Sequence, residues 1–338
     1  MNIIGSLCFV TDPAINQLKV QLRHTQQAAF AQGTMNNLQI QWNSYFSFCQ
    51  RFKFVSIPAT SQTICLYIQH LANVLKSPDS VRNYLNGVKV LHLLSDASTV
   101  AFQSFEVKLT LKGMRRLKAH HPKQAAPITV PILQAFFLLL DVTKPFDATC
   151  WALILIAFYC MLRKSNLVPE SAHKFDPTKQ LTRSDIQVNS KCLLVHIKWS
   201  KTIQFAQRKL TIPLLAIPGS HLCPVQAYTN MLKLVKAGPQ DPAFSLLSNH
   251  GIIPLTYRQL LNKIKSLAAG SGFDPSAYST HSLRRGGASL AFKLNVPGEI
   301  IKVQGDWSSS AYLRYLNIPL RQRVMVAAAV RDFVLYGA

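Results

Sequence analysis

Residues 279–316 read STHSLRRGGASLAFKLNVPGEIIKVQGDWSSSAYLRYL, and their spacing indicates a site that could bind phosphate. His281 and Arg284 stand three positions apart, so on a helix they share a face and could hold one phosphate together. Arg285 would lie on nearly the same face, so spacing does not choose between the two arginines. One short helix later the chain continues as Gly305-Asp306-Trp307. The periodicity predicts helices over 281–293, 297–304 and 308–316.

The charge balance of the whole chain points to the same kind of ligand. The 338 residues include 37 lysines and arginines against 14 aspartates and glutamates, which leaves a formal charge of +23. Such an excess favours a polyanionic partner, nucleic acid before a membrane surface. With 49% hydrophobic and 15% charged residues, the chain is too apolar for general disorder. Its length suggests two domains and is ample for a buried core.

Cysteine usage and hydropathy indicate a reduced, soluble, intracellular protein. The seven cysteines are odd in number and lack a CxxC pair, which argues against a disulfide scaffold or a zinc knuckle. The N terminus lacks the basic lead of a signal peptide, since the first cation is Lys19. The most apolar window, Ala148 to Leu162, is too short to cross a bilayer and predicts a buried helix.

The first part of the chain, residues 1–119, predicts an all-helical domain. Ser77-Pro78-Asp79 is the clearest helix start, because a capping residue is followed by proline at the first helical position. Other periodic segments predict helices over 14–31, 35–53 and 61–76.

A basic stripe lies beside the apolar face of the helix predicted over 107–118. The apolar face comprises Val107, Leu111, Met114 and Leu117, and the stripe comprises Lys108, Lys112, Arg115 and Arg116. No acid occurs between Lys108 and Lys123, whereas ordinary solvated faces mix their charges. Unpaired positive charge over this length favours contact with DNA phosphates, with a solvated amphipathic face as the alternative.

Residues 120–127, a polar and basic stretch with two prolines, predict a linker to a second domain over 128–338. The second domain predicts a mixture of helices and short strands. The strands are expected at 181–188, 192–199 and 208–213. Further helices are expected at 130–141, 147–162, 223–236, 256–269 and 320–335. The predicted fold class is therefore mainly α, with an all-α N-terminal domain and an α+β domain that contains a small antiparallel sheet.

The sequence lacks the motifs of several common enzyme classes. It has no GxxxxGK[ST] phosphate loop, no HExxH and no GxSxG. Its 14 acids include no paired-acid motif, which gives little support for a metal-dependent nuclease. Cations can stabilise the charge that develops on a phosphoryl group without a metal. We therefore expect no metal and no cofactor.

The C-terminal motif resembles the catalytic end of the tyrosine recombinases, the phage-integrase family. That family's pattern is His-x-x-Arg, then a His or Trp after a glycine, then a nucleophilic tyrosine. The resemblance assigns these roles to His281, Arg284, Trp307 and Tyr315. Tyr312 is the lesser candidate for nucleophile, because similar sequences often have phenylalanine at its position. The run GDWSSSAYLRYL most resembles eukaryotic transposon members, of the DIRS and Crypton kind.

The resemblance also implies two catalytic residues upstream. The segment YCMLRKS resembles the one that bears the first catalytic arginine, which is therefore Arg163. A lysine is expected in a turn between two strands, which makes Lys201 the first choice and Lys198, inside the predicted strand, the second. One departure is Asn166, because the family usually has an acid three residues after the arginine. An acid there would orient the arginine, and an amide could still accept one hydrogen bond.

The resemblance implies a site-specific recombinase that cuts and rejoins DNA through a 3′-phosphotyrosyl intermediate, in integration or excision of a mobile element. It implies double-stranded DNA held in a clamp between the two domains, and four protomers on two DNA sites. No small-molecule substrate or membrane is expected, and the eukaryotic character of the motif suggests the nucleus. Two alternatives stay open, namely a type IB topoisomerase and a domesticated DNA-binding protein that no longer cuts.

Overall fold

The polypeptide divides into two units, residues 1–123 and 124–338. The computed structural model describes residues 13–118, 124–200, 202–203, 209–249, 251–315 and 320–336. Residues 120–123 of the predicted linker lie outside that description, as does residue 119 before it. Ala126, in the same predicted linker, donates its backbone N–H to the Ala277 carbonyl at 2.7 Å. The described end of this stretch therefore packs as part of the second unit.

The described part of the first unit consists of helices, as predicted. They are α1 (Pro13–Ala28), α2 (Gln32–Phe52), α3 (Ser61–Val74), α4 (Pro78–Leu94) and α5 (Phe105–Leu117). Helix α4 begins where the capping signal predicts it, because the Ser77 hydroxyl accepts a hydrogen bond from the Asp79 N–H at 3.3 Å. The core lies between α2, α3, α4 and α5, and its fully buried members include Tyr45, Tyr67, Val81, Val88 and Val107.

Helix α5 contains the residues of the predicted basic stripe. Its N terminus is capped by the Ser104 hydroxyl, which accepts from the Val107 N–H at 3.3 Å. Val107 and Met114 are buried, whereas Leu117, on the same predicted apolar face, is 89% exposed. The helix ends at Leu117, and its buried face stops one turn earlier, at Met114.

The second unit combines helices with two small sheets. Its helices are α6 (Val130–Phe137), α7 (Pro145–Tyr159), α8 (Lys164–Leu167), α9 (Pro224–Leu234), α10 (Tyr257–Gly270), α11 (Thr280–Lys293), α12 (Gly298–Gln304) and α13 (Leu320–Tyr336). Helix α7 lies at the centre of the core, since every residue from Ala148 to Phe158 is buried. This is the buried helix that the apolar window predicts. No helix among the described residues has the length and apolarity needed to cross a membrane.

The larger sheet has three antiparallel strands in the order β1-β2-β3. They are β1 (Ile186–Val188), β2 (Cys192–Ile197) and β3 (Leu210–Leu215). Alternate residues of β2, namely Leu193, Val195 and Ile197, are buried, as the two-residue period of a strand requires. The first strand is shorter than predicted, because a 3₁₀ turn occupies residues 183–185. The fold class, mainly α with a small antiparallel sheet, is confirmed.

Two elements of the second unit differ from the predictions. Strands β4 (Ser245–Ser248) and β5 (Gly251–Pro254) form an antiparallel hairpin that the sequence pattern did not reveal. The helix predicted over 308–316 is a 3₁₀ helix, Ser310–Tyr315.

Candidate active site

The first site residue, Arg163, stands where the chain leaves the central helix α7. After α7 the backbone turns through Met161, whose φ of 52° lies in the left-handed region, and Arg163 is the residue that immediately precedes α8. The Arg163 side chain is 21% exposed and forms two hydrogen bonds to one residue, Asp306. Its Nη1 donates to Asp306 Oδ2 at 3.0 Å, and its Nη2 donates to the Asp306 carbonyl at 2.9 Å. Arg163 is thereby held against the loop at residues 305–307.

Helix α11 carries the His-x-x-Arg motif and packs closely against α7. Its N terminus is capped by the Ser279 hydroxyl, which accepts from the His281 N–H at 3.2 Å. Gly286 and Gly287 face the core, where a Cβ atom would lie 1.8 Å from the Ile128 carbonyl oxygen and 2.0 Å from the Phe158 carbonyl oxygen, respectively. Only glycine allows this approach. The paired glycines therefore place the N-terminal half of α11 beside the end of α7.

The structure distinguishes Arg284 from Arg285, a choice that spacing in the sequence left open. Arg284 is 2% exposed, and its Nη1 donates a hydrogen bond to the Met161 carbonyl. Its guanidinium carbon lies 3.7 Å from the ring centroid of Trp307, in cation–π contact. Arg285 is half-buried, and its Nη1 donates to the Gln124 side chain at 2.8 Å. Arg284 therefore belongs to the same cluster as Arg163 and Trp307.

Asp306 connects this cluster to the turn that follows β2. Besides Arg163, its Oδ2 accepts hydrogen bonds from the hydroxyls of Ser200 and Thr202. Burial alone would raise the pKa of the Asp306 carboxyl, but the Ser200 and Thr202 hydrogen bonds and the Arg163 charge outweigh burial and lower it. A carboxylate among these donors stays ionised.

His281 stands at the start of α11 with part of its surface exposed. Desolvation lowers the pKa of its imidazole, and the positive charges of Arg284, Lys164 and Arg163 lower it further. The neutral ring, which can accept a proton, is therefore favoured down to a lower pH than for an ordinary histidine.

Of the two candidate lysines, Lys201 lies outside the described residues. The structure does describe residues on either side of it. The Ser200 N–H donates to the Ile203 carbonyl at 3.2 Å, and the Ile203 N–H donates to the Ser200 carbonyl at 3.1 Å. The second candidate, Lys198, forms an ion pair with Asp185. That pair holds the Lys198 ammonium beside the start of β1.

The two candidate tyrosines belong to the 3₁₀ helix Ser310–Tyr315. Tyr312 is half-buried, and its ring centroid lies 6.1 Å from that of Trp307. Its hydroxyl lies against Gly298, where a Cβ atom would stand 2.5 Å from it. Tyr315 ends the 3₁₀ helix, and its side chain lies outside the description.

The basic stripe belongs to the first unit and is described there by itself. Lys108, Lys112, Arg115 and Arg116 are all exposed on α5. Among the described ion pairs, none includes any of the four. The stripe therefore presents four positive charges to solvent.

The structure thus brings together Arg163, Arg284 and Trp307. His281 lies in the first turn of α11, the helix that also carries Arg284. Sequence reasoning did not identify the role of Asp306 or its partners Ser200 and Thr202. Asp306 lies more than 100 residues along the chain from Ser200 and Thr202, and no local pattern connects them. Among the residues described, no group of three His, Cys, Asp or Glu side chains could hold a metal ion.

Comparison with known proteins gives one curated relative over most of the chain. It is an integrase/recombinase xerD homolog from Selenomonas ruminantium, 22% identical over 307 residues that cover 89% of this chain and 86% of that protein. No protein-family model matches the chain.

Solved structures share the fold at low identity. XerH site-specific recombinase bound to difH substrate has a TM-score of 0.53 at 14% identity, over 87% of this chain and 77% of that chain. A lambda integrase dimer bound to a COC′ core site has a TM-score of 0.51 at 16% identity, over 89% and 76%. The Tn1549 transposon integrase in complex with circular intermediate DNA has a TM-score of 0.52 at 13% identity, over 81% and 86%.

The fold is therefore that of the site-specific recombinases and integrases. The curated relative, an integrase/recombinase, agrees with that fold, so the chain is similar to the tyrosine recombinases over most of its length. The finer resemblance, to eukaryotic transposon members of that family, stays a prediction.

Proposed function

We propose that this protein is a site-specific DNA recombinase that cuts and rejoins DNA through a 3′-phosphotyrosyl intermediate. The observation that carries the proposal is the convergence of Arg163, Arg284 and Trp307 on one loop. These residues come from the end of α7, from α11 and from the segment after α12. Two guanidinium groups on one site suit a phosphodiester, because each can form paired hydrogen bonds to phosphate oxygens.

In the proposed reaction, Arg163 and Arg284 bind the non-bridging oxygens of the scissile phosphate. Asp306 engages two of the five N–H groups of Arg163, so other donors of that guanidinium can contact DNA. Arg284 is 2% exposed, so its contact with phosphate requires local opening of the cluster when DNA binds. The charge of both groups stabilises the five-coordinate transition state.

The Tyr315 oxygen attacks phosphorus in line, and the bond from phosphorus to the 5′ oxygen breaks. Neutral His281 assists loss of the tyrosine proton, and Lys201 protonates the departing 5′ oxygen. The new phosphotyrosyl ester conserves the energy of the broken bond. The 5′-hydroxyl of a second duplex can then displace the tyrosine, which completes strand exchange without a high-energy cofactor.

Tyr315 is our choice of nucleophile over Tyr312. The resemblance to the family places the nucleophile at Tyr315, and Tyr312 is packed against Trp307 and Gly298. A hydroxyl placed against the start of α12 is occupied in packing, whereas a nucleophile must reach phosphorus.

We also propose that the protein binds double-stranded DNA, with the basic stripe of α5 on its phosphates. Four protomers would assemble on two sites. Support for contact between protomers comes from α13, whose Val330, Phe333 and Val334 are 58%, 63% and 74% exposed.

Integration or excision of a mobile element is the proposed process, since a transposon integrase shares the fold. Nuclear residence follows if the eukaryotic resemblance holds, and imaging of a fluorescent fusion would test it.

The experiment that tests this function compares three DNA substrates. A duplex nicked beside the scissile phosphate should trap a covalent complex, and two target sites should recombine. A topoisomerase would relax supercoiled DNA without joining two sites. A DNA-binding protein that no longer cuts would retain binding with no covalent complex, and would contradict the proposal.

A further inference from the structure

The loop at residues 305–307 contains a carboxylate to which the recombinase pattern assigns no role. The Asp306 side chain is 4% exposed. Its Oδ2 accepts from Arg163 at 3.0 Å and from the hydroxyls of Ser200 and Thr202, and its carbonyl accepts from Arg163 at 2.9 Å. One buried oxygen therefore gathers three donors from two distant parts of the chain.

Two of these donors flank Lys201 in the sequence. The Ser200 hydroxyl also accepts from the Thr202 N–H at 3.0 Å and from the Ile203 N–H at 3.1 Å, which closes the turn on itself. A carboxylate bound to both hydroxyls fixes this turn relative to Arg163. It thus joins the segment of the proposed general acid to one of the proposed phosphate-binding arginines.

Asn166 gives a complementary observation. It occupies the position where the family usually has an acid, and it is 2% exposed. Its Nδ2 donates to the Trp199 carbonyl at 2.6 Å, so its amide holds the chain that leads into the same turn. The acid that contacts Arg163 comes instead from Asp306, 143 residues further along the chain.

We infer that Asp306 is a positioning residue, whose carboxylate holds the Arg163 guanidinium and the Ser200–Thr202 turn in fixed relation in place of an acid at position 166. This inference rests on the proposed function. The φ of Asp306 is 53°, a left-handed conformation that disfavours most side chains. Its several hydrogen bonds hold the aspartate in that conformation.

Two variants isolate the carboxylate from the backbone. Asp306→Gly suits the left-handed backbone and removes the side chain. Asp306→Asn keeps the shape and removes the charge. Asp147→Asn is the matched control, because Asp147 also has a largely buried side chain, 14% exposed, in an ion pair with Lys263 at 2.6 Å. It lies near the N terminus of α7, whereas Arg163 follows its C terminus.

The first measurement needs no activity. Crystal structures of the wild-type protein and Asp306→Gly should differ in the placement of the Arg163 guanidinium and of the turn. An Arg163 guanidinium and a turn that keep their places in Asp306→Gly would overturn the inference.

The second measurement is the rate of covalent-complex formation on a nicked duplex. Asp306→Asn should slow it about 10- to 100-fold at unchanged DNA affinity, the usual effect of losing an orienting partner. The loss should be smaller on a substrate with sulfur as the 5′ bridging atom, because a thiolate leaves without protonation. In an Arg163→Ala background, Asp306→Asn should cause little further loss of rate, since both changes affect the same contact.

The possible outcomes distinguish a failure of the positioning role of Asp306 from a failure of the proposed recombinase function. A wild-type rate in Asp306→Asn, or an equal loss in Asp147→Asn, would contradict the positioning role while the recombinase assignment stands. A wild-type protein that forms no covalent complex would overturn the proposed function, and the crystal structures alone would then decide on Asp306.

Discussion

The guanidinium carbon of Arg284 lies 3.7 Å from the ring centroid of Trp307. Arg284 also donates to the Met161 carbonyl, and Trp307 is 6% exposed. The large aromatic face therefore supports the arginine from one side while the end of α7 holds it from the other. The contact with Arg284 gives Trp307 a packing role in this cluster.

Arg284→Ala should slow cleavage by about two to three decades while leaving DNA affinity almost intact, because many other cations are expected to hold the duplex. Loss of a preorganised charge at the transition state costs about 3–4 kcal/mol, or two to three decades in rate. Arg285→Ala is the matched control, since Arg285 bonds to Gln124 outside the cluster. Single-turnover cleavage and thermal unfolding should be measured together, because Arg284 is buried. A larger loss of cleavage in Arg285→Ala would reverse the assignment within the motif.

DNA binding should weaken steeply with salt. Contact with eight to ten phosphates predicts a slope of log affinity against log salt of roughly −7 to −9. Replacing Lys108, Lys112, Arg115 and Arg116 with glutamine should flatten the slope by about 2 to 4 units. The same change at Lys144 and Lys179, which pair with Asp141 and Asp176, should leave it nearly unchanged. If the four stripe substitutions do not alter the slope, the stripe is an ordinary solvated face.

Gly286→Ala should destabilise the second unit. The added methyl group would stand 1.8 Å from the Ile128 carbonyl oxygen, so α11 would have to move away from its neighbours. Overpacking of this kind costs about 1–3 kcal/mol, which equilibrium unfolding in denaturant would measure. Gly113→Ala in α5 is the control, because nothing lies within 4 Å of its Cβ position. That change should stabilise the helix by about 0.5–1 kcal/mol, and a Gly286→Ala protein of unchanged stability would refute the close approach.

The pH dependence of cleavage should report His281. Its pKa is lowered from the ordinary value of 6.5, so the neutral ring persists as the pH falls through 6.5. As the pH falls, the unfolded chain protonates its His281 imidazole before the folded protein does. The contribution of neutral His281 to the free energy of unfolding is therefore present above pH 6.5 and declines below it. The single-turnover rate should therefore stay level down through 6.5 and decline at lower pH. His281→Gln should lack this decline, and a decline that begins above 6.5 in the wild-type protein would argue against a neutral His281.

Local patterns predicted the elements that depend on neighbours in sequence. The apolar run around Ala148 to Phe158 is a buried helix, and the Ser77 cap starts α4, because both signals act within a few residues. The β4–β5 hairpin was missed, since its four-residue strands are too short to show alternation. Its detectable signal is Gly251 after Asn249-His250, a turn composition between two apolar pairs.

The candidate site was predictable to the extent that a family motif names its residues. Spacing could not choose between Arg284 and Arg285, because positions three and four apart share a helix face. The choice depends on what each side chain meets in the folded chain, Met161 in one case and Gln124 in the other. Asp306 was not singled out, because its value as an acceptor depends on donors that only the fold brings near.

The central claim is that Tyr315 joins the DNA, and identification of the residue in the covalent complex tests it most directly. A phenol has an ordinary pKa near 10 and attacks poorly unless it is held against a cation-rich phosphate. The substrate is a duplex nicked beside the scissile phosphate, so that the released fragment cannot return. Tyr315→Phe should bind this duplex normally and trap no complex, whereas Tyr312→Phe should still trap one. In the wild-type complex, mass spectrometry should find the nucleotide on Tyr315. A complex that persists in Tyr315→Phe and disappears in Tyr312→Phe would contradict the assignment, and one that persists in both would contradict the tyrosine mechanism placed on this helix.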